Sequence, residues 1–389
     1  MTGATHWPES GALELRETQP PDWDERTVDI PDGHVYQSLA WASHRRASGW
    51  QPRYAVFPGG GAALVLLRPW PLIGGFSGYI PRGPVGLGEP ADAAKRLAEL
   101  VRALRRADVD VLATDPEVPA DSDYAERVRR MGFRQIEEIQ PSRHRISLPL
   151  IGVDEDAAFE GIAKSTRQRI RKAEKDGIGV VRHDIRLGAD GAGEGFASPA
   201  EPTTTALDRF YDLLLETGER RNFSFGPRSS FLAWWQAAHA AGHLVHLEAR
   251  SPVGEPLAGL LLYRHGERLS TVHSGDHATA RRDHPGALHL LRWRAIQLAI
   301  REGRAEMDLG GVDVAGARRE PRDGEPMWGL YQHKLSFGGR WLELAGAHEI
   351  VMRRRRYQAG RWVARVERIV ERVGGPVARR VLARGGDRR

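Results

Sequence analysis

Short apolar runs bounded by glycine and proline alternate along this chain with longer stretches whose apolar residues recur every three or four positions, which predicts a mixed α/β fold. Residues 53–57 and 62–67 read as strands flanking the turn Pro58-Gly59-Gly60-Gly61, and 91–107 as a helix. A buried strand at 109–113 ends in Thr114-Asp115-Pro116, and a helix near 124–131 is stopped by Gly132. A strand at 144–148 leads into a second unit, with the crossing at 149–153. The same order then recurs: helices near 206–221 and 229–241, strands near 244–249, 257–263 and 269–273, a helix near 287–302, and a strand at 307–311 ending in Gly310-Gly311. Two similar α/β units are the expectation. Residues 188–205 are rich in Gly, Ala, Ser, Pro and Thr without apolar periodicity, and read as a mobile surface loop.

Residues 154–176 read as one helix closed by Gly177. At about 100° per residue, Lys164, Arg167, Arg171 and Lys175 stack on one side of it, and Phe159, Ile162, Thr166, Ile170 and Ala173 line the other. Like charges at this spacing repel by about 0.2–0.5 kcal/mol per pair, so the stripe suggests an anionic ligand. An ordinary solvated basic face is the alternative.

At 389 residues, the chain exceeds what one core usually serves, consistent with two domains. Net charge +6 and a pI near 9.8 favour acidic partners: nucleic acid, phosphorylated substrates or anionic lipid. With no cysteine, disulfides, thiolate metal sites and a cysteine nucleophile are excluded. The N-terminus carries no basic-then-apolar leader and no apolar run approaches about 20 residues, so a cytoplasmic protein with at most peripheral membrane contact is expected.

P-loop, Gly-x-Ser-x-Gly and His-Glu-x-x-His signatures are absent. His239, His243 and His246 invite a metal reading, but Gly242 interrupts them and no carboxylate or cysteine completes a regular pattern, so no metal is expected. The segment from Arg281 to Gly286 before a helix lacks the spacing of an acyl-CoA pyrophosphate loop, which argues against coenzyme A. Residues 353–389 form a basic tail: Arg353 to Arg356 are followed by Trp362, Val363, Val366, Ile369, Val370 and Val373 on one side of a predicted helix. Such a tail suits anionic lipid or RNA, or a packed terminal helix.

Five segments together resemble the Fem family of tRNA-dependent aminoacyltransferases that build peptidoglycan cross-bridges. They are Gln37-Ser38-Leu39-Ala40-Trp41 with Arg45 and Gly49; Gly78 to Val85; Asp115-Pro116-Glu117; Arg167 to Gly177; and Asp308 to Gly311 with Gly329 to Gly339. The resemblance runs from about Tyr36 to Val351 and leaves no room for a long coiled-coil arm, as in the compact members. It implies two acetyltransferase-like (GNAT-like) domains, 1–149 and 150–339, with the chain returning to the first at about 340–352. It also implies transfer of an amino acid from aminoacyl-tRNA, as co-substrate without a cofactor, to the side-chain amine of a peptidoglycan precursor. That precursor is either nucleotide-linked or lipid-linked, and a monomer is expected. Lys334 matches a lysine required near the reacting ester and Asp115 an aspartate at the acceptor side. Arg167 matches a phosphate-contacting arginine, with Arg171 and Lys164 beside it, and Arg45 sits where relatives carry a lysine. Gln37, Trp41, Tyr79 and Tyr331 fall in the matched motifs as cleft residues, and His333 stands where the family often has an aromatic residue.

The chemistry fits independently. An aminoacyl ester is already activated, so a neutral amine attacks it without an enzyme nucleophile, and positioning does most of the work. Lys334 would stabilise the oxyanion, a role typically contributing about 3–4 kcal/mol, and Asp115 would orient the amine and help it lose its proton. The alternatives are the same transfer to a small amine in secondary metabolism, acyl-CoA-dependent N-acylation, and a non-catalytic RNA- or membrane-binding protein. In the last case Asp115 and Lys334 would point into different spaces.

Overall fold

The computed structural model describes residues 12–363 apart from 87, 89, 188–190 and 222–224. Fourteen strands form two seven-stranded sheets among these residues. The first sheet takes β1 (Glu14–Arg16), β2 (Gln51–Val56), β3 (Ala62–Pro69), β4 (Phe76–Ile80), β5 (Val109–Thr114) and β6 (Arg134–Gln135), plus the last strand of the chain, β14 (His348–Val351). Its order is β1-β2-β3-β4-β5-β14-β6. The second sheet takes β7 (Arg145–Pro149), β8 (Gly179–His183), β9 (Leu244–Arg250), β10 (Pro256–His265), β11 (Arg268–Asp276), β12 (Glu306–Asp308) and β13 (Arg340–Leu342), in the order β13-β7-β12-β11-β10-β9-β8.

Both sheets follow one plan. An antiparallel meander (β2-β3-β4 or β9-β10-β11) is followed by a helix, Pro90–Arg106 or Ala287–Arg301, and a strand that returns parallel, β5 or β12. The next neighbour of that parallel strand is antiparallel to it, β14 in the first sheet and β7 in the second. The chain thus returns to the first sheet at its end, as expected, but only through β14: residues 340–342, expected in that return, pair as β13 with β7 in the second sheet. The strand Arg145–Pro149, placed ahead of the crossing from sequence, pairs with β12 and β13 inside the second sheet. A strand's own pattern does not say which sheet will hold it; the pairing partners arrive some 150 residues later.

Strand β3 is a continuous apolar run because both its faces are covered. Ala63, Val65 and Leu67 join Leu97, Leu100 and Leu104 of the helix Pro90–Arg106, while Leu64 and Leu66 enter a second core. That second core lies between the sheets and joins residues of both, among them Trp23, Trp41 and Tyr54 with Phe210, Trp234, Trp235 and Tyr263. Each such large side chain contributes roughly 1.5–3 kcal/mol on full burial, so the halves are welded rather than merely tethered.

The helix read over 154–176 is two helices, Glu155–Gly161 and Lys164–Lys175. Ile162 and Ala163 between them are extended (ψ 137° and 140°), Ile162 is buried, and Ala163 donates its N–H to the Ser336 carbonyl. Tertiary contact at this point overrides helical continuity. The second helix still buries Thr166, Ile170 and Ala173, as its periodicity predicts. Within the segment 188–205, Ala197 exchanges backbone hydrogen bonds with Val180 and Arg182, so this part is tied to β8. No helix among the described residues is long and apolar enough to cross a membrane. Of the predicted tail helix, residues 354–363 are helical, and the apolar positions from Val366 onward lie outside the described residues.

Candidate active site

The two parallel strand pairs end differently. In the first sheet, β4 and β5 stay paired up to Ile80 and Thr114, their last residues. In the second, β11 and β12 pair only from Arg268 and Glu306 to Ser270 and Asp308, whereas β11 runs on to Asp276. A wedge therefore opens beyond Asp308. The chain leaves β12 through Gly310 (φ 82°), whose N–H donates to the Asp308 carboxylate at 2.7 Å. A side chain there would meet the Lys334 ammonium and the Thr271 carbonyl, each 3.0 Å from its Cβ, so glycine keeps this space for the lysine. Lys334 comes from the helix Trp328–Leu335, is only 6% exposed, and donates to the Gly311 carbonyl at 3.1 Å.

Beside the wedge, a pocket of about 430 Å³ is lined by Ser274 to Asp276, Arg169, Arg281, His289, Arg292 and His333. Its two imidazoles meet edge-on with centroids 4.6 Å apart. The Arg292 Nε donates to His333 Nε2 at 3.1 Å, and Arg169 lies 3.3 Å from His289 Nε2. Burial, reinforced by these arginines, pushes His289 down to about 4 and His333 to about 2, so both rings are neutral at any working pH. Arg281 is paired with Asp276 at 2.7 Å. The lining is cationic, with room for an anion.

Asp115 lies directly beyond β5 and is fully buried. Its carboxylate accepts the Tyr79 hydroxyl at 2.9 Å and the Arg82 backbone N–H at 2.8 Å, while the Arg82 guanidinium stands 4.0 Å away. Burial pushes its pKa up to about 6 although Arg82 and the hydrogen bonds oppose this. Gln140 donates to the Tyr79 hydroxyl at 2.9 Å. Arg45 packs over the rings of Trp41 and Trp50 at 5.5 and 5.1 Å, near enough for the Tyr79 hydroxyl to influence its charge.

Asp115 and Lys334 are joined by a short chain of contacts across the domain junction. Arg82, whose N–H holds Asp115, donates through its guanidinium to the Ser142 carbonyl at 3.0 Å. A Cβ on Gly311 would collide with the Ser142 side chain, and the Gly311 carbonyl receives Lys334. Asp115, Tyr79 and Arg45 thus lie near one another on the first-domain side, and Lys334 is linked to them only indirectly, through Gly311, Ser142 and Arg82.

Other expected site residues are placed elsewhere. Gln37 is fully buried with both ends of its amide engaged, donating to the Pro81 carbonyl and accepting the Leu64 N–H at 2.6 Å. It braces β3 to the turn after β4 rather than facing a ligand. Trp41 stacks on Tyr36 at 4.3 Å and packs against Trp234, a core position. Tyr331 is buried in the second-domain core, with its hydroxyl donating to Glu320 at 2.5 Å. On the basic helix, Lys164 and Arg171 face solvent, the latter over Phe159 at 5.2 Å, and Arg167 is half-buried. The residue of this helix that reaches the pocket is Arg169, off the stripe singled out from spacing.

A buried charge network lies between the sheets, and of its members only Arg82, Glu117 and Asp308 fall in sequence motifs. Arg268 donates to Glu117, Arg145 and Arg82 approach it to 3.6 and 3.8 Å, and His34 to 3.7 Å. Burial raises the Glu117 carboxyl, but Arg268, Arg145, His34 and Arg82 outweigh it and hold it well below the usual carboxylate range. Glu306 and Asp308 balance Arg145 from β12. The visible signal was period-two alternation: Arg145 and Ser147, Glu306 and Asp308, Arg268 and Ser270 share one face of three neighbouring strands.

His183, Glu201 and Glu248 come within 4.8 Å of one another as metal-type side chains. Arg209 and Arg250 already donate to both carboxylates, so the negative charge that would draw a cation is neutralised. The three histidines weighed from sequence do not converge: His246 stacks on His183, while His243 approaches Asp24 and Asp29.

Residues 161–320 match the family model described as an acetyltransferase (GNAT) domain. Two sheets built on one strand plan make this a tandem GNAT-like fold. Among solved structures, the chain is similar to FemX, with 19% identity, a TM-score of 0.72, and coverage of 89% of this chain and 99% of that one. A conserved protein of unknown function from Bacteroides thetaiotaomicron aligns at 13% identity and TM-score 0.53, over 87% of this chain and 98% of its own. L-PGS from Bacillus licheniformis follows at 10% identity and TM-score 0.48, over 82% and 89%. No curated protein matches the sequence. The fold is that of FemX.

Proposed function

We propose that the chain is an aminoacyltransferase of the Fem type, which takes an amino acid from aminoacyl-tRNA and places it on the side-chain amine of a peptidoglycan precursor. The observation that carries this reading is the wedge beyond β12, which holds Lys334 next in the chain to His333 of the cationic pocket and linked through Gly311, Ser142 and Arg82 to Asp115. The pocket receives the 3′ end of the tRNA, its arginines meeting phosphates and the neutral His333 and His289 offering ring faces to a base. The ester carbonyl then lies at the wedge, near the Lys334 ammonium.

The amine lone pair attacks the ester carbon, a new N–C bond forms, the C–O bond to the ribose breaks, and the proton lost by nitrogen balances the one gained by the ribose oxygen. Lys334 stabilises the oxyanion in between. Asp115 is fully buried and acts through what it holds: ionised, it fixes the Tyr79 hydroxyl and the Arg82 backbone on the acceptor side. Arg45 supplies charge for the precursor's phosphates.

The test is transfer of radiolabelled amino acids from a mixture of charged tRNAs to a nucleotide-linked muramyl-pentapeptide, with acetyl-CoA and small amines as parallel arms. Product on the muramyl peptide that disappears in Lys334→Ala supports the reading. Acetylation from acetyl-CoA in its place refutes it.

A further inference from the structure

We propose that the tip of the β3–β4 hairpin and the helix at residues 354–363 form one face that docks on the surface of an anionic lipid bilayer. Residues 353–389 hold 13 arginines and 3 acidic residues, net +10, while residues 1–352, with 44 basic and 48 acidic residues, carry −4. The net positive charge of this protein therefore resides in its C-terminal tenth.

The described part of that segment has two sides. On the inner side, Arg353 and Arg356 are neutralised by Asp108 and Asp110, Tyr357 donates its hydroxyl to Glu349, and Gly360 lies so close to Trp70 that any side chain would collide with the ring. On the outer side, Arg354, Arg355 and Arg361 are exposed, Arg354 and Arg355 make no ion pair among the described residues, and Trp362 is 67% exposed. A groove of about 650 Å³ between this helix and β14 is lined by Arg134, Arg354, Arg361 and Trp362, with Glu349 paired to Arg134. It has room for a phosphate headgroup.

The hairpin tip lies against this helix. Trp70 packs under Gly360, and Gly75 abuts Arg356. Between them Leu72 is 97% exposed and adopts a left-handed backbone (φ 66°). That conformation is unfavourable for leucine by roughly 1–2 kcal/mol, and no described residue covers the side chain in return. An apolar tip, a tryptophan and unpaired arginines on one face match the chemistry of a bilayer interface, where apolar groups insert, tryptophan sits at headgroup level, and arginines meet anionic lipid. A nucleic-acid backbone would leave Leu72 without a partner. Residues 364–389, which follow in sequence, carry a further net +5.

This inference does not depend on the proposed transfer reaction, and its test reads binding alone. Full-length protein is floated with vesicles of phosphatidylcholine and with vesicles of phosphatidylcholine mixed with phosphatidylglycerol, at low and high salt. Binding to the anionic vesicles only, weakened by salt, is expected. Leu72→Asn, which tolerates the left-handed backbone, should lower partitioning roughly tenfold. The double variant Arg354→Gln/Arg355→Gln should lower it roughly 30-fold. Circular dichroism of both variants should match the parent, since all three side chains are solvent-exposed. Equal binding to both vesicle types, no binding to either, or variants that bind vesicles like the parent would overturn the proposal. Loss of tRNA binding in the arginine variant with vesicle binding intact would assign the face to RNA instead and equally overturn it.

Discussion

Lys334 and Asp115 differ in what their surroundings ask of them. Lys334 stands in the wedge and donates to the Gly311 backbone carbonyl at 3.1 Å. Lys334→Ala should reduce single-turnover transfer by about 10²–10³-fold, as loss of an oxyanion donor does. Asp115 carries a pKa raised to about 6 by burial. A raised carboxyl is protonated in the folded protein below that value, so the ionised form that accepts from Tyr79 is gained as pH rises through about 6. kcat/KM should rise across the same range, and Asp115→Asn should lower the plateau and flatten the acid limb. His333, held neutral, contributes no limb of its own. An acid limb that persists in Asp115→Asn would assign it to another group. The sign for stability is the opposite: the raised pKa makes Asp115 most favourable to folding at low pH, and that contribution is lost as pH climbs through about 6.

At the scale of elements, strand ends decide where chemistry is placed. The sequence shows a carboxylate after β5 and two glycines after β12, and both matter, but only pairing shows that the first pair of parallel strands closes at its end while the second splays. Glu117 illustrates the same limit. As a letter in a motif it looks like a companion of Asp115; in the fold it ties Arg145 of β7 and Arg268 of β11 to the first domain. Glu117→Gln should destabilise the protein by about 3–5 kcal/mol by leaving those guanidinium groups buried without their carboxylate, measurable by urea unfolding. Because the Glu117 pKa is held well below its ordinary 4.5, its stabilisation is present above that value and is lost as pH falls through the folded-state value. The difference between parent and variant should therefore shrink in acid. On the helix Lys164–Lys175, the buried side was legible from period alone, and the pocket-facing side was not. Arg169 reaches the pocket because His289 is packed against the flank of the helix, a fact no spacing rule contains.

For the molecule as a whole, the core between the sheets draws on both halves, with Trp41 stacked against Tyr36 and packed on Trp234. The two GNAT-like domains should therefore unfold together, with tryptophan fluorescence and far-ultraviolet circular dichroism giving one coincident transition. Trp41→Ala should shift that transition by about 3–5 kcal/mol without splitting it. Two separated transitions would show the domains to be independent. By itself the sequence determined the element types, the repeated order of the two halves, and the carboxylate and glycines that follow β5 and β12, because periodicity, turn chemistry and short motifs are local properties. Tertiary structure alone decided that Arg145–Pro149 belongs to the second sheet, that the helix breaks at Ile162, that Gln37, Trp41 and Tyr331 are structural, and that Arg169 lines the pocket. Each of those outcomes depends on partners distant in the chain, and burial or exposure is conferred by the partner rather than by the residue.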